Sequence, residues 1–372
     1  MLCIKWRKQK KPERLETLEK PKDDHAPSIT PALSLPPLRP LDLPKILLEH
    51  QFALSDQGWS TVTYDGLNDS LYKSSEALFM AGKAFFDRPV SYKDGFKTAK
   101  GSEEGWSRVE GEKEFITLRT LDNTPEEFKE AASTYWRIAG EYLNQLLGLL
   151  ARSLGLPAEA LTVFSDPCIE LGPERTATML RIFRYEGFEG QESKIVAEPH
   201  KDLGLLSLVI GDSPGLEVFD RHAKGWFPIE RSYNRPAGSI LVGRQLQLLS
   251  NSRYTPGPHL VRSYTDPPAQ ANESGEPPAC KYRYSIVFVL RAHSPVPVDT
   301  DKLTTTITGD FKTPMRNIVA GDLFRDIRNS HYNINTTIEK RNEQRQKLAE
   351  KKQQQLSAGG PEIRVENATS QP

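Results

Sequence analysis

Two regimes of hydrophobic spacing divide this chain. Within LPKILLEHQFALSDQGWSTVTY, from Leu43, a helical stripe of Ile46, Leu47, His50, Ala53 and Leu54 gives way at Gly58 to the alternating Trp59, Thr61 and Thr63. That pattern predicts helix, turn and strand. Asn68 to Phe86 and Pro125 to Leu154 have the spacing of amphipathic helices, the second opening at Thr124-Pro125-Glu126 and closing at Gly155 before Pro157. Its Leu143, Leu146, Leu147 and Leu150 stripe is a packing face. After Thr176 the spacing changes to short apolar runs rich in β-branched residues and bounded by Gly and Pro: TMLRIFRY, LLSLVI, GLEVFD, SILVG and YSIVFVL. Strands this close together, with no helices between them for parallel crossovers, predict an antiparallel sandwich or jelly roll. Asp310 to Tyr332 predicts a helix or two, and IEKRNEQRQKLAEKKQQQL is too polar to form core.

The expected organisation is therefore an α+β fold. A disordered basic and Pro-rich tail occupies 1–35, a helical section 36–175, a jelly-roll core 176–300, a C-terminal helical segment 301–345 and a disordered tail 346–372. Lys plus Arg equals Asp plus Glu at 49 each, so no global basic surface favours nucleic acid, and a small organic molecule is the expected partner. The same balance argues against a nucleic-acid demethylase. Cys3, Cys168 and Cys280 are too few and scattered for a disulfide framework, which fits a reducing compartment. The basic opening run lacks the apolar stretch of a secretory signal, and no run is long and apolar enough to span a membrane. A cytoplasmic monomer without a membrane or nucleic-acid partner is the expectation.

Candidate chemistry centres on two of the seven histidines and their neighbours. His200 stands two residues before Asp202 in EPHKDLGLLSLVI, and His259 follows in YTPGPHLVRSY. Residues i and i+2 of a strand share a face, so a His-x-Asp entering a strand can present an imidazole and a carboxylate to one ion. Two imidazoles and one carboxylate on one face of an octahedron leave the opposite face open, which suits iron(II) and oxygen chemistry; a closed zinc site calls for thiolates. A His-x-Asp alone is common in a chain of this length. Arg283 and Ser285, two apart in KYRYS ahead of the apolar IVFVL, add a fork of donors and a hydroxyl suited to a carboxylate. His222, His293 and His331 read as structural, and Arg181, spaced like Phe183 and Tyr185, faces the same way as they do.

In this order His-x-Asp, a long interval, His and then Arg-x-Ser opening a strand resembles the 2-oxoglutarate and iron(II)-dependent dioxygenases of the isopenicillin N synthase-like group, the fungal members most of all. The resemblance covers roughly residues 38 to 330, including PGLEVFDRHAKGWFPIE and PAGSILVGRQLQLLSNSRYTPGPHLV. It implies a double-stranded β-helix core between N-terminal and C-terminal helices, with His200, Asp202 and His259 as ligands of Fe(II). It further implies that Arg283, Ser285 and Tyr185 hold the distal carboxylate of 2-oxoglutarate. Phe183 stands where many plant members carry Asn, Arg244-Gln245 replaces a more usual Gly-Asp, and Thr265 to Lys281 is an insertion. The implied activity is oxidative decarboxylation of 2-oxoglutarate by O2, with ascorbate as accessory reductant, coupled to hydroxylation or desaturation of a small molecule of secondary metabolism. An iron oxidase independent of 2-oxoglutarate and a non-catalytic jelly-roll binding protein are the alternatives.

Overall fold

In a computed structural model of the chain, the described residues run from 35 to 357, apart from 40–42, 44, 51–52, 188–192 and 265–281. The expected N-terminal tail apart from Leu35, the 265–281 insertion and residues 358–372 lie outside them. Eleven strands build two facing sheets: β1 (Trp59–Thr63), β2 (Gly105–Val109), β3 (Lys113–Leu118), β4 (Met179–Tyr185), β5 (Lys194–His200), β6 (Leu206–Gly211), β7 (Leu216–Asp220), β8 (Gly225–Phe227), β9 (Ala237–Val242), β10 (His259–Ser263) and β11 (Arg283–Leu290). The larger sheet runs β1-β9-β6-β11-β4-β3-β2 and the smaller β5-β10-β7-β8, with every neighbouring pair antiparallel. From β4 to β11 this is the jelly-roll arrangement, in which consecutive strands alternate between the sheets except at the β7–β8 hairpin. It also revises the expected organisation, because β1, β2 and β3 precede residue 176 yet form both edges of the large sheet.

The longer helices are α1 (Ser70–Phe86), α2 (Lys129–Ser153), α3 (Arg244–Leu249), α4 (Ala320–Asn329) and α5 (Ile338–Ser357). Helix α1 begins where Asp69 Oδ1 accepts the amides of Leu71 and Tyr72, two residues later than the spacing alone places it. Ahead of α2 the chain makes a 3₁₀ turn, Glu126–Phe128, and Thr124 Oγ1 donates to the Thr120 carbonyl instead of capping the helix. The C-terminal end of α2 is closed as expected, with Gly155 at φ +77°.

Apart from the edge strand β2, the strands of the large sheet are covered on both sides, so alternation in position does not become alternation in burial. Outward residues such as Ile116, Leu180, Ile182, Leu208, Ile240, Ile286 and Phe288 join Leu78, Phe85, Tyr135, Trp136 and Leu147 of α1 and α2 in one apolar core. Inward residues Phe115, Phe183, Tyr185, Val209 and Leu241 meet Val196, Leu216, Val218 and Val261 of the smaller sheet in a second core. Helix α5 departs from the sequence reading: it is continuous across residue 345, where a disordered tail was expected. It is anchored by the fully buried Arg341, which pairs with Glu112 and, at 3.6 Å, with Glu198, while Arg345 also pairs with Glu198.

Candidate metal centre

Strands β5 and β10 pair with His200 directly opposite His259, bringing the two imidazole centroids to 4.1 Å. His200 is the last residue of β5 and Asp202 lies in the turn beyond it, so the shared strand face invoked from the sequence is not what unites them. The turn itself does so: the opening amide of α3, Arg244 N–H, donates to the Asp202 carbonyl at 2.9 Å and holds the carboxylate against the strand ends. Asp202 Oδ1 then lies 3.8 Å from His200 Nε2 and 3.9 Å from His259 Nε2. One ligand atom from each of the three residues falls within a 4.8 Å cluster.

The hydrogen bonds around the imidazoles set their chemistry. His200 Nδ1 donates to the Glu198 carbonyl at 2.8 Å and His259 Nδ1 to the Gly257 carbonyl at 3.0 Å. Each Nε2 therefore turns a lone pair toward the shared centre, the orientation that a carbonyl in the outer shell imposes on a metal-binding imidazole. Burial, with His259 alongside, pushes His200 down to about 3, so its ring is neutral. Burial opposes ionisation of Asp202, yet its carboxyl is held below the usual range, with the Arg291 guanidinium among the neighbours that favour the charged form. Neutral imidazoles and an ionised carboxylate are the forms that ligate. Asp202 Oδ2 is buried with no hydrogen-bond partner, a costly arrangement that a cation resolves.

A second group of polar atoms lies on the inward face of the large sheet. Arg283 of β11 sits opposite Tyr185 of β4, and Ser285 opposite Phe183. The Arg283 guanidinium lies 5.3 Å from the Tyr185 ring centroid, and the Tyr185 and Phe183 rings stack at 5.3 Å. Its fork is half engaged. Nε donates to the Ser213 carbonyl at 2.9 Å and Nη2 to both oxygens of the buried Glu230, at 3.1 and 2.9 Å. Nη1 and Ser285 Oγ, both buried, have no partner. Gly211 makes room for the side chain, since a Cβ there would lie 2.6 Å from Nη2.

Glu230 escapes the sequence reading altogether. It belongs to a 3₁₀ turn after β8 and also accepts the Gly215 and Leu216 amides at 2.7 Å each. Lys113 escapes as well: in EGEKEF it reads as a surface charge, yet it is fully buried on the inward side of β3. His222, by contrast, sits exposed at the β7–β8 turn beside Asp56, away from the triad, as its sequence context indicates. A cavity of about 180 Å³ lined by Lys93, Trp106, Glu114, Arg184 and Tyr282 includes none of the triad.

Residues 177–292 match the model of the 2OG-Fe(II) oxygenase superfamily, whose members are oxidoreductases using Fe(II), 2-oxoglutarate and O2. Jasmonate-induced oxygenase 1 of Arabidopsis thaliana is 24% identical over 282 residues, a match that covers 71% of this chain and 64% of the relative, less than two thirds of its length. Among solved structures, a 2OG-Fe(II) oxygenase family protein of Caulobacter crescentus superposes with a TM-score of 0.57 at 21% identity, covering 74% of this chain and 90% of that one. The dioxygenase for auxin oxidation in rice does so with a TM-score of 0.53 at 20% identity, covering 74% and 86%. Both superpositions establish the α+β jelly-roll fold.

Proposed function

We propose that this chain is a non-haem iron(II), 2-oxoglutarate-dependent dioxygenase of the isopenicillin N synthase-like group that oxidises a small organic molecule. The observation that carries the reading is the triad: two imidazoles tied through Nδ1 so that both Nε2 atoms meet an ionised carboxylate whose second oxygen has no protein partner. His200, Asp202 and His259 would hold the iron, which when bound supplies the activation of O2 that no side chain provides. Nη1 of Arg283 and Ser285 Oγ would donate to the distal carboxylate of 2-oxoglutarate, with Tyr185 beside them. The chain's own contribution is orientation and exclusion of water, achieved by the inter-sheet core that surrounds these groups.

One observation favours a second reading, an iron oxidase that needs no 2-oxoglutarate. Glu230 already compensates the charge of Arg283, so part of the attraction for a second carboxylate is spent. Purified protein loaded with iron(II) separates the two when succinate release and substrate loss are followed together. Succinate formation in step with substrate oxidation supports the proposal. Full turnover without 2-oxoglutarate rejects it and leaves the metal site standing.

A further inference from the structure

The inward face of the large sheet carries two more cations that neither the metal ligands nor the Arg283 group engages. Arg181 of β4 and Lys113 of β3 are both buried, Lys113 completely. Arg181 is fixed by Nε donating to Thr117 Oγ1 at 2.7 Å, and its guanidinium lies 5.1 Å from the Phe115 and 5.8 Å from the Phe183 ring centroid. Lys113 Nζ donates to the Val196 carbonyl at 3.2 Å and lies 6.0 Å from the same Phe183 ring. The two cations thus flank one aromatic pair, Phe115 and Phe183, whose centroids are 5.3 Å apart.

Among the described residues neither cation has a carboxylate within ion-pairing distance, and the nearby acids are engaged elsewhere. Glu103 pairs with Arg291 at 2.8 Å and with Arg119 at 3.8 Å; Glu112 pairs with Arg341; Glu198 pairs with Arg341 and Arg345. The side chains of Lys113 and Arg181 share with Phe115 and Phe183 the inward face of the large sheet, which packs against the smaller sheet that carries His200 and His259. A buried cation without a counter-ion is a standing cost to the fold, and two on one wall double it. Burial, opposed by the charge of Glu112 and reinforced by Arg341 and Arg181, pushes the Lys113 ammonium down to about 7. An anion bound between them removes that cost.

We propose that Lys113 and Arg181 bind the carboxylate of the organic substrate, with Phe115 and Phe183 as the apolar surface for its body. The assignment rests on the dioxygenase reading above and deepens it: the substrate class is a carboxylic acid with an apolar framework. The guanidinium supplies directional donors and the ammonium a point charge, so the two together discriminate an acid from its neutral ester.

The test uses the full chain loaded with manganese(II) and 2-oxoglutarate, which binds ligands without turnover. Calorimetric titrations compare phenylacetate, cinnamate and hexanoate with their methyl esters. At least one acid is expected to bind about ten-fold or more tightly than its ester. Arg181→Gln and Lys113→Met should each remove about ten-fold or more of that affinity while 2-oxoglutarate affinity stays within about two-fold, and Arg181→Lys should retain part of it. Without any acid, Lys113→Met and Arg181→Leu should melt no lower than the wild type, an outcome that a structural role for these cations does not produce. The proposal is overturned if no acid binds better than its ester, or if both apolar variants melt well below the wild type. An equal loss of 2-oxoglutarate affinity also overturns it, by placing the two cations on the co-substrate. Failure of the dioxygenase reading shows separately, as wild-type protein that takes up neither manganese nor 2-oxoglutarate.

Discussion

The two faces of the seven-stranded sheet are built from the same strands and have opposite compositions. Toward the helices, alternate positions are Ile, Leu and Phe almost without interruption, closed by Trp136, whose ring meets Phe288 at 5.2 Å and whose Nε1 donates to the Cys168 carbonyl at 3.0 Å. Toward the smaller sheet, the intervening positions include Lys113, Thr117, Arg181, Ser207, Ser239, Arg283 and Ser285, all buried. Burial is nearly equal on the two faces, yet the centre of one is made of apolar groups that lose nothing by leaving water, while the other interleaves its apolar residues with groups that lose a great deal unless something binds them. The helical face carries the stability, and the inward face holds polar groups poised for ligands.

That contrast can be broken from either side. The largest effect is expected at the triad: His200→Ala or His259→Ala should abolish turnover and reduce bound iron to a trace, measured by elemental analysis, with a melting temperature near that of the metal-free wild type. His222→Ala should change neither quantity, and equal damage there would displace the assigned ligands. On the other face, Trp136→Ala leaves a cavity and an unpartnered Cys168 carbonyl, for a cost of about 3–5 kcal/mol in denaturant unfolding. In whatever fraction remains folded, iron content per molecule should hold.

Arg283→Gln comes next. Losing a buried ionic partner costs about 2–5 kcal/mol, so 2-oxoglutarate affinity should fall by roughly thirty-fold or more while iron content stays. Glu230 sharpens this prediction, because removing the arginine also leaves that buried carboxylate without its partner. A stability loss in the ligand-free protein should therefore accompany the affinity loss, and its absence would mean that the Glu230 pair contributes nothing. The smallest effect is on pH dependence. Lys113 binds its proton below about 7 in the fold but near its ordinary 10.5 in the unfolded chain. Between those values the unfolded state holds the extra proton, so stability rises with pH across that window relative to Lys113→Met, and below it the lysine carries its full penalty. Parallel melting curves of the two proteins against pH would reject the buried, unpaired lysine.

Much of this was legible before any coordinates. The runs TMLRIFRY, LLSLVI, GLEVFD, SILVG and YSIVFVL fall on β4, β6, β7, β9 and β11, because β-branched blocks between turn residues have few other ways to bury themselves. The spacing of His200, Asp202 and His259 also marked out residues that the fold brings together. Less was visible where meaning depends on a distant partner. Lys113 sits between two glutamates and has the local signature of an exposed turn, and only the sheet on its other side buries it. Glu230 has no periodicity to betray it. Helix α5 is polar along its length, and its attachment through Arg341 cannot be read from an apolar stripe because there is none.

The pairing of His200 with His259 has a consequence for how the protein assembles. The two histidines belong to strands far apart in the chain that are neighbours only in the finished smaller sheet, and β7 must lie on the other side of β10 to hold it there. A one-residue slip of β10 against β5 would turn its imidazole out of the centre. The His200, Asp202 and His259 constellation is therefore a late product of folding, formed after long loops have closed. A metal offered to the unfolded chain would find no preformed site to nucleate upon, whereas one offered to the native protein would meet both histidines only in that single strand alignment.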